Sequence, residues 1–333
     1  MRTPMKEIRK LLSDLTVDER LDLIKLLRTD TGISLEELLE LRAEEEETAC
    51  PSCGSHTIVK NGTRDGIQRF LCKKCGTSFH ELQDCILNRS HKDFDTWKLY
   101  IKCMLERHTL RQCARECGIS LPTAFYWRHK ILNIVSKYLE RVKLIGTVEM
   151  DDTFLPLSYK GSRHLPRKAH KRGQSSHKRG LSDDKVCISC AISRANSRVY
   201  AKATTLGRTN ANTLGKIMKS RLKKCRRLIT DKDSAYKLFA KNAGLRITQV
   251  KSGEPRRGIY HVQNINAFHS RLKAFLRKFC GVSTKYLDNY LSWMALIVER
   301  KSTLLRTIKN IIKFQLDESW HDVAAKPAFP VVG

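Results

Sequence analysis

The stretch Leu144–Phe154 reads LIGTVEMDDTF and decides how the second half of this chain folds. Its first residues are rich in apolar and β-branched types, which is typical of a strand, and the pair Asp151 and Asp152 follows directly. A second stretch, Arg227–Thr230, has the same character and ends at Asp231. Because strand and helix patterns alternate throughout this half, we predict an α/β domain in which two strands each end at an aspartate.

The other elements of this half follow from the same patterns. Apolar alternation predicts a hairpin over Val186–Ser193 and Arg198–Ala203, and a further strand at Leu245–Val250. The segment Gln263–Phe279 reads QNINAFHSRLKAFLRKF and has an apolar residue at every third or fourth position. This spacing predicts a helix with one buried face.

Two carboxylates and two helix residues make up the candidate catalytic group. Carboxylates that a rigid sheet holds together can share divalent metal ions, an arrangement suited to in-line displacement at phosphate. Asp151 and Asp231 fit this role, but strand-end aspartates also cap the turn or helix that follows, and spacing alone leaves both readings open. On the helix, Asn266 and Lys273 lie two turns apart on one face, where an amide oxygen could meet a metal and the ammonium a phosphate.

Composition points to a polyanionic partner. The 333 residues include 63 Lys and Arg against 34 Asp and Glu, a formal net charge of +29, and nucleic acid is the commonest partner of so basic a protein. Residues 1–49 hold 8 basic and 13 acidic residues, a net of −5, so the rest of the chain carries +34. No apolar run is long enough to span a membrane and the first residues do not resemble a signal peptide, so we expect a cytoplasmic protein.

Four of the twelve cysteines form a metal-binding pattern. Cys50 and Cys53 (CPSC) are followed after eighteen residues by Cys72 and Cys75 (CKKC). Each pair puts two thiolates on one side of a tight turn, and two such turns complete a tetrahedral zinc site. We expect a structural zinc ribbon whose strands are joined by a turn at Asn61–Gly62, and we expect the other eight cysteines to be packing residues.

The stretch Thr109–Ile131, TLRQCARECGISLPTAFYWRHKI, predicts a helix-turn-helix with Gly118 in the turn and Ser120 capping the second helix. The second helix carries residue types that read a DNA groove or bind phosphate. An ordinary helical hairpin in a basic protein is the alternative. The residues that we expect to be exposed towards DNA are Thr123, Tyr126, Arg128, His129 and Lys130.

A basic segment interrupts the α/β half at residues 158–185. It concentrates Lys and Arg with almost no acidic residue, amid Gly and Ser. We expect it to follow DNA phosphates without reading bases and to make binding strongly salt-dependent, with an unstructured solubilising loop as the alternative. The predicted DNA contacts in it are Lys168, Lys171, Arg172, Lys178 and Arg179.

These motifs together resemble a known family. The chain is similar to insertion-sequence transposases of the DDE class, and above all to the group numbered fifteen-ninety-five among insertion sequences, which joins a zinc ribbon to an RNase H-like catalytic domain. The resemblance spans about Cys50–Tyr290 and is carried, in order, by CPSC…CKKC, VEMDDTF, TDKDSAY, HVQNINAFHSRLKAF and GVSTKYLDNYLSW.

The resemblance assigns roles to individual residues. VEMDDTF carries the family's first aspartate at Asp151 and TDKDSAY its second at Asp231. Asn266 stands where many DDE enzymes have Glu, and with Lys273 it matches the DDNK form of one branch. The implied catalytic cofactor is Mg²⁺ or Mn²⁺ on Asp151, Asp231 and Asn266, with Asp152 supporting these ligands, and the implied structural cofactor is Zn²⁺ on the four cysteines.

Asn266 places a neutral amide where many DDE enzymes have a carboxylate, and this affects metal binding. An amide oxygen can bind a hard cation but contributes less charge than a carboxylate, so metal binding at Asn266 should be weaker unless Glu149 or Asp152 assists.

The resemblance also implies a function. It implies a transposase that binds the ends of its insertion sequence, nicks DNA and joins the freed 3′-hydroxyl to target DNA, in the bacterial cytoplasm at the nucleoid. Its partners would be double-stranded DNA and further copies of the chain, as a homodimer or higher oligomer, and no membrane. The alternatives are a non-catalytic DNA-binding protein derived from a transposase and an RNase H-like nuclease that cuts without joining.

The predicted organisation has five parts. They are a helical acidic region at 1–47, a zinc ribbon at 48–85, a helix-turn-helix region at 90–140, an RNase H-like α/β domain at 141–315 and a tail at 316–333.

Overall fold

The structure is a computed structural model of the chain and describes residues 16, 48–64, 67–80, 87, 90–166, 180, 182–251 and 256–298. Nearly all of the predicted acidic region 1–47, the tail 316–333 and the middle of the basic insert lie outside these residues. The described residues fall into two compact units, one up to Gln83 and one from Asp84.

The first unit is a small antiparallel sheet with strand order β1-β2-β3. Its strands are Ile58–Arg64 (β1), Ile67–Cys72 (β2) and Ser78–His80 (β3). The predicted turn at Asn61–Gly62 is wrong, because β1 continues through it to Arg64. These residues instead form an irregularity in the pairing with β2, where Gly62 has a φ of 70° that other residues rarely adopt.

The second unit begins with three helices: Phe94–Leu105 (α1), Leu110–Glu116 (α2) and Leu121–Glu140 (α3). Thr109 and Gln112 form a reciprocal capping box at the start of α2. Gly118 makes the predicted turn with a φ of 58°, and the hydroxyl of Ser120 accepts a hydrogen bond from the backbone N–H of Thr123 at 3.2 Å. The two predicted helices and the turn between them are therefore present. Aromatic packing joins α1 to α3, since the rings of Trp97 and Trp127 stack at 3.7 Å.

A five-stranded mixed sheet follows, with strand order β6-β5-β4-β7-β8. The first three of these strands pair antiparallel, whereas β7 and β8 run parallel to β4 and to each other. The strands are Ile145–Pro156 (β4), Lys185–Ser193 (β5), Val199–Leu206 (β6), Lys224–Thr230 (β7) and Ile247–Gln249 (β8).

Helices and a short ribbon complete this unit. The ribbon pairs Arg256–Arg257 (β9) with Tyr260–His261 (β10). The helices are Ala211–Met218 (α4), Ser234–Ala243 (α5), Gln263–Arg277 (α6) and Leu287–Val298 (α7). As predicted, α6 buries an apolar stripe that includes Ile265, Phe268 and Leu272. The mixed α/β class, a sheet flanked by helices, is confirmed, and no helix in the described ranges is long and apolar enough to cross a membrane.

Candidate active site

Strand β4 is longer than the sequence predicts, and this places the first aspartate inside it. The antiparallel pairing with β5 continues to Pro156, whereas the parallel pairing with β7 ends where Glu149 faces Ile229. Asp151 and Asp231 each lie two residues beyond this last pair, Asp151 after Glu149 and Asp231 after Ile229. Because neighbouring strands lie about 4.8 Å apart, the register brings these two carboxylates side by side at the point where the parallel pairing stops.

The two carboxylates influence each other's ionisation. Burial first, and the negative charge of Asp231 second, raise the pKa of Asp151 to about 7. Burial is also the main cause that raises the pKa of Asp231. Buried carboxylates that repel each other favour a cation between them, so the donor set fits a divalent metal ion.

Helix α6 lies over Asp151. The imidazole Nδ1 of His269 is 3.8 Å from Oδ2 of Asp151, and the positive charge of Lys273 acts to lower the pKa of this aspartate. Burial and then Lys273 lower the pKa of His269 to about 4, so the ring is neutral at physiological pH. His269 stands outside the apolar stripe of the helix, yet it is only 8% exposed and lies beside the candidate site.

Asn266 is the predicted site residue that the structure does not connect to the aspartates. It lies in the first turn of α6, one turn before His269, and is exposed. Within the described part of the chain, its side chain makes no hydrogen bond to Asp151 or Asp231. Lys273, by contrast, is electrostatically coupled to Asp151.

Asp152 points to the opposite side of the sheet from Asp151, because successive strand residues alternate. Burial raises the pKa of Asp152, and the nearby hydroxyl groups of Ser189 and Tyr236 oppose this shift. Its environment is therefore set by β5 and α5, whereas that of Asp151 is set by α6.

The carboxylate of Glu149 is surrounded by hydrogen-bond donors of the protein, so it stabilises the fold and is not available as a metal ligand. It is completely buried, and its Oε2 accepts hydrogen bonds from the backbone N–H groups of Asn264 at 2.9 Å and Ile265 at 3.1 Å. Its Oε1 accepts from the side chain of Asn264 at 2.6 Å and from Nε of Arg194 at 2.7 Å. The N-cap residue of α6, Val262, has no side chain that could accept these bonds, so a carboxylate from β4 caps the helix instead. Of the two acids that could assist Asn266, Glu149 is therefore already occupied by its own hydrogen-bond partners.

The four ribbon cysteines converge as the sequence predicts. Their sulfur atoms all lie within 4.8 Å of one another, with Cys50 and Cys75 at 3.6 Å and Cys53 and Cys72 at 3.7 Å. Ligands in a tetrahedral zinc–thiolate site are separated by about 3.8 Å, so this group could hold a metal ion. Hydrogen bonds with the hydroxyl and the backbone of Thr77 lower the pKa of Cys75 to about 6, which favours its thiolate.

The predicted DNA-contacting face of α3 is only partly exposed. Tyr126 is 44% exposed, and Thr123 and Lys130 are half-buried. Arg128 and His129 are buried at 0% and 2% exposure, so the prediction that they face DNA is wrong.

The periodicity of α3 explains the correction. The helix packs against α1 and α2 on one side and α7 on the other, and Arg128 lies between them. Its Nη2 donates to the carbonyl oxygen of His108 at 2.8 Å, and its guanidinium carbon lies 4.9 Å from the ring centre of Trp293. Arg128 is therefore a packing residue that holds the helices together.

The basic insert is described only at its two ends. Its first residues are anchored: Ser158 exchanges hydrogen bonds with Thr284, and Nζ of Lys160 donates to the carbonyl oxygens of Phe279, Cys280 and Gly281. The predicted DNA contacts Lys168, Lys171, Arg172, Lys178 and Arg179 lie outside the described residues.

Comparison with known proteins finds similarity over the α/β domain. A model of the ISXO2-like transposase domain matches residues 143–295, the range that contains β4 to α7 apart from the last residues of that helix. A protein of Halobacterium salinarum, described as an uncharacterized protein in the transposable element ISH50, is 25% identical over 249 residues, which cover 73% of this chain and 82% of that protein.

Solved structures of the Mos1 transposase are more distant. The Mos1 strand transfer complex is 13% identical with a TM-score of 0.27, covering 72% of this chain and 80% of that chain. The pre-cleavage Mos1 transpososome is 12% identical with a TM-score of 0.22, covering 66% and 81%. Both TM-scores are too low for the likeness to support a statement about this chain. The match at residues 143–295 makes this region similar to the ISXO2-like transposase domain, in agreement with the resemblance that its motifs carry.

Proposed function

We propose that this chain is a transposase that nicks DNA at the ends of its insertion sequence and joins the freed 3′-hydroxyl to target DNA. The observation that carries the proposal is the register of β4 and β7, which supports a common site for Asp151 and Asp231, within residues that match a transposase domain model. The strand order, three antiparallel strands followed by two parallel ones, supports an RNase H-like domain.

The two aspartates would hold Mg²⁺ or Mn²⁺. When bound there, such ions supply charge stabilisation for attack on a phosphate and lower the pKa of an attacking water or hydroxyl. Asn266 is the proposed third ligand, and its position in the exposed first turn of α6 leaves its amide free to turn towards a cation. Lys273, whose charge acts on Asp151, would bind a DNA phosphate next to the scissile bond.

His269 adds an uncharged imidazole beside Asp151. Because burial keeps this ring neutral, it can pack against the carboxylate without competing with a cation for the negative charge. We assign it the role of holding Asp151 in place, since its Nδ1 faces Oδ2 of that residue at 3.8 Å.

DNA binding is assigned to three regions. The cysteine cluster would hold zinc as a closed structural site, because all four ligands come from the protein and no position stays open for chemistry. The accessible residues of α3, Thr123, Tyr126 and Lys130, would contact the DNA end, and the basic insert would follow the phosphates. The net charge of +29 supports binding that weakens steeply with salt.

A strand-transfer assay in Mg²⁺ tests the proposal. The donor would be a duplex from the flanks of the gene, and the comparison is between the unmodified chain, Asp231→Asn and the matched control Asp233→Asn. Asp233 caps α5 by accepting from the backbone N–H of Ala235 at 2.7 Å, a role that Asn also fills, so this variant removes the same charge two residues away.

We expect joined products from the unmodified chain and from Asp233→Asn, and a loss of roughly a thousandfold or more with Asp231→Asn. Cutting without joining would favour the nuclease. Tight binding to the flanks with no cutting, in either Mg²⁺ or Mn²⁺, would favour a DNA-binding protein that has lost its chemistry.

A further inference from the structure

The helical part of the second unit contains a second group of metal-binding side chains. Cys103 lies near the end of α1, His108 in the turn after it and Glu116 at the end of α2. One ligand atom from each of these three residues lies within 4.8 Å of the other two. From sequence alone, every cysteine outside the ribbon was expected to be a packing residue, so this group was not foreseen.

The distances within the group suit a single small cation. Oε2 of Glu116 is 3.1 Å from the sulfur of Cys103 and 3.2 Å from Nδ1 of His108. Ligand atoms around a tetrahedral zinc ion are separated by about 3.3 to 3.8 Å, only slightly more than these distances. A sulfur, a nitrogen and an oxygen are also the ligand types that zinc accepts.

The imidazole supplies an independent sign that a ligand is missing from this group. Nδ1 of His108 is buried and, among the described residues, has no hydrogen-bond partner, although it lies 3.2 Å from a carboxylate oxygen. Buried polar nitrogen atoms without a partner are rare and require an explanation. A metal ion between the ring nitrogen and the carboxylate would give the ring nitrogen its partner, and it would replace the thiol proton of Cys103 that Oε2 of Glu116 accepts.

The backbone holds His108 in this position. Arg107 has a φ of 64°, which is unfavourable for a residue with a side chain, and this conformation folds the chain back so that the N–H of His108 donates to the carbonyl oxygen of Cys103 at 2.9 Å. The buried guanidinium of Arg128 binds the carbonyl oxygen of His108 at 2.8 Å. The backbone of His108 is thus held at both its N–H and its carbonyl group.

Further thiols adjoin the group. The side chains of Cys113 and Cys117 both interact with that of Cys103, so either could provide a fourth ligand. Cys103 itself is buried while Glu116 is exposed, which gives an ion a path from solvent.

We propose that Cys103, His108 and Glu116 bind a zinc ion that fastens the turn between α1 and α2, separately from the zinc ribbon. The ion would join the end of one helix to the end of the next and so stabilise the three-helix region in which α3 lies. It takes no part in the chemistry at Asp151.

Zinc content of the full-length protein tests this site. Inductively coupled plasma mass spectrometry would be applied to the unmodified chain and to His108→Ala, Glu116→Gln and Cys72→Ser after dialysis against zinc-free buffer. His91→Ala is the matched control, because His91 is exposed in the same unit and lies in no cysteine cluster.

We expect about two zinc ions per unmodified chain and about one in each of His108→Ala, Glu116→Gln and Cys72→Ser, with about two retained in His91→Ala. The combination of Cys72→Ser with His108→Ala should hold almost none. Circular dichroism would confirm that each variant is folded, and since His108 and Glu116 are partly exposed, these two substitutions leave the buried core unchanged.

Two results would overturn the site. One is about one zinc ion per unmodified chain, all of it lost in Cys72→Ser. The other is full zinc content in His108→Ala or in Glu116→Gln, which would show that the ligand assignment is wrong.

Discussion

Glu149 and Asp151 stand two residues apart on the same face of β4, yet their surroundings differ completely. Glu149 is entirely buried and receives hydrogen bonds from two backbone N–H groups of α6, from Asn264 and from Arg194. Asp151 is partly exposed, has an imidazole at 3.8 Å and faces the second carboxylate, Asp231, which raises its pKa.

The difference shows that partners, rather than residue type, decide what a carboxylate does. Glu149 has as many donors as its two oxygens can accept, so it stabilises the fold and has no capacity for a cation. Asp151 has a like charge beside it and few donors, which is the environment in which we propose that a cation binds. The first carboxylate caps α6, and the second lies under this helix at the proposed cation site.

The largest effect on stability is expected from Glu149→Gln. The amide can no longer accept at both oxygens, and it leaves Arg194 without its buried partner, so the free energy of unfolding should fall by about 3 kcal/mol. Urea unfolding followed by circular dichroism measures this change. Glu140→Gln, at the exposed end of α3, is the control and should change the free energy by less than about 0.5 kcal/mol. Equal effects of the two substitutions would contradict a capping role for Glu149.

An intermediate effect on stability is expected at Asp151, and it depends on pH. Replacing this aspartate should stabilise the fold, whereas replacing Glu149 destabilises it. Because the folded-state pKa of about 7 lies above the usual value of 3.8, the folded protein keeps this proton to a higher pH than the unfolded chain does. The resulting destabilisation is absent below about pH 4 and grows as the pH rises towards 7.

In metal-free buffer, Asp151→Asn should therefore be more stable than the unmodified chain by about 2 kcal/mol at pH 7.5, and the two should converge towards pH 4. Urea unfolding at a series of pH values checks this. If Asp151→Asn is less stable than the unmodified chain at pH 7.5, the carboxylate of Asp151 stabilises the fold as that of Glu149 does, and the prediction is wrong.

The smallest effect is expected from Asn266→Glu. A third carboxylate adds charge at the proposed cation site, so the dissociation constant for Mn²⁺ should fall by roughly tenfold, about 1.4 kcal/mol. Ala267→Glu adds the same charge at the next exposed position of α6, on a different side of the helix, and should change the constant by less than about twofold. If both substitutions have the same effect, Asn266 is not near the cation.

Much of the fold could be predicted from the sequence, because the strands and α6 have strong periodic patterns. The two aspartates were also identified from their places after apolar runs. The extension of β4 beyond Glu149 was not predicted. The chain there contains two aspartates, and only the pairing with β5 keeps it in the sheet. The register that puts Asp151 beside Asp231 is a long-range property that local patterns do not contain.

The errors have a common physical cause. Arg128 has the composition of a DNA contact, but its place among α1, α2 and α7 buries it, and only the three-dimensional packing determines that. The sequence left open that Glu149 could assist Asn266, because its partners, Arg194 and Asn264, lie far away in sequence and their pairing with it is not visible there. The group at Cys103 was missed because its three residues lie in two helices and the turn between them, and only the packing of these elements brings their ligand atoms together.

The central claim is that Asp151 and Asp231 form a cation site while the acids around them are structural. Isothermal titration calorimetry of Mn²⁺ into the zinc-loaded full-length protein tests it most directly, with Asp151→Asn compared against Asp233→Asn. Mn²⁺ binding that is lost in Asp151→Asn and kept in Asp233→Asn is the predicted result. Binding in Asp151→Asn that equals that of the unmodified chain would contradict the claim.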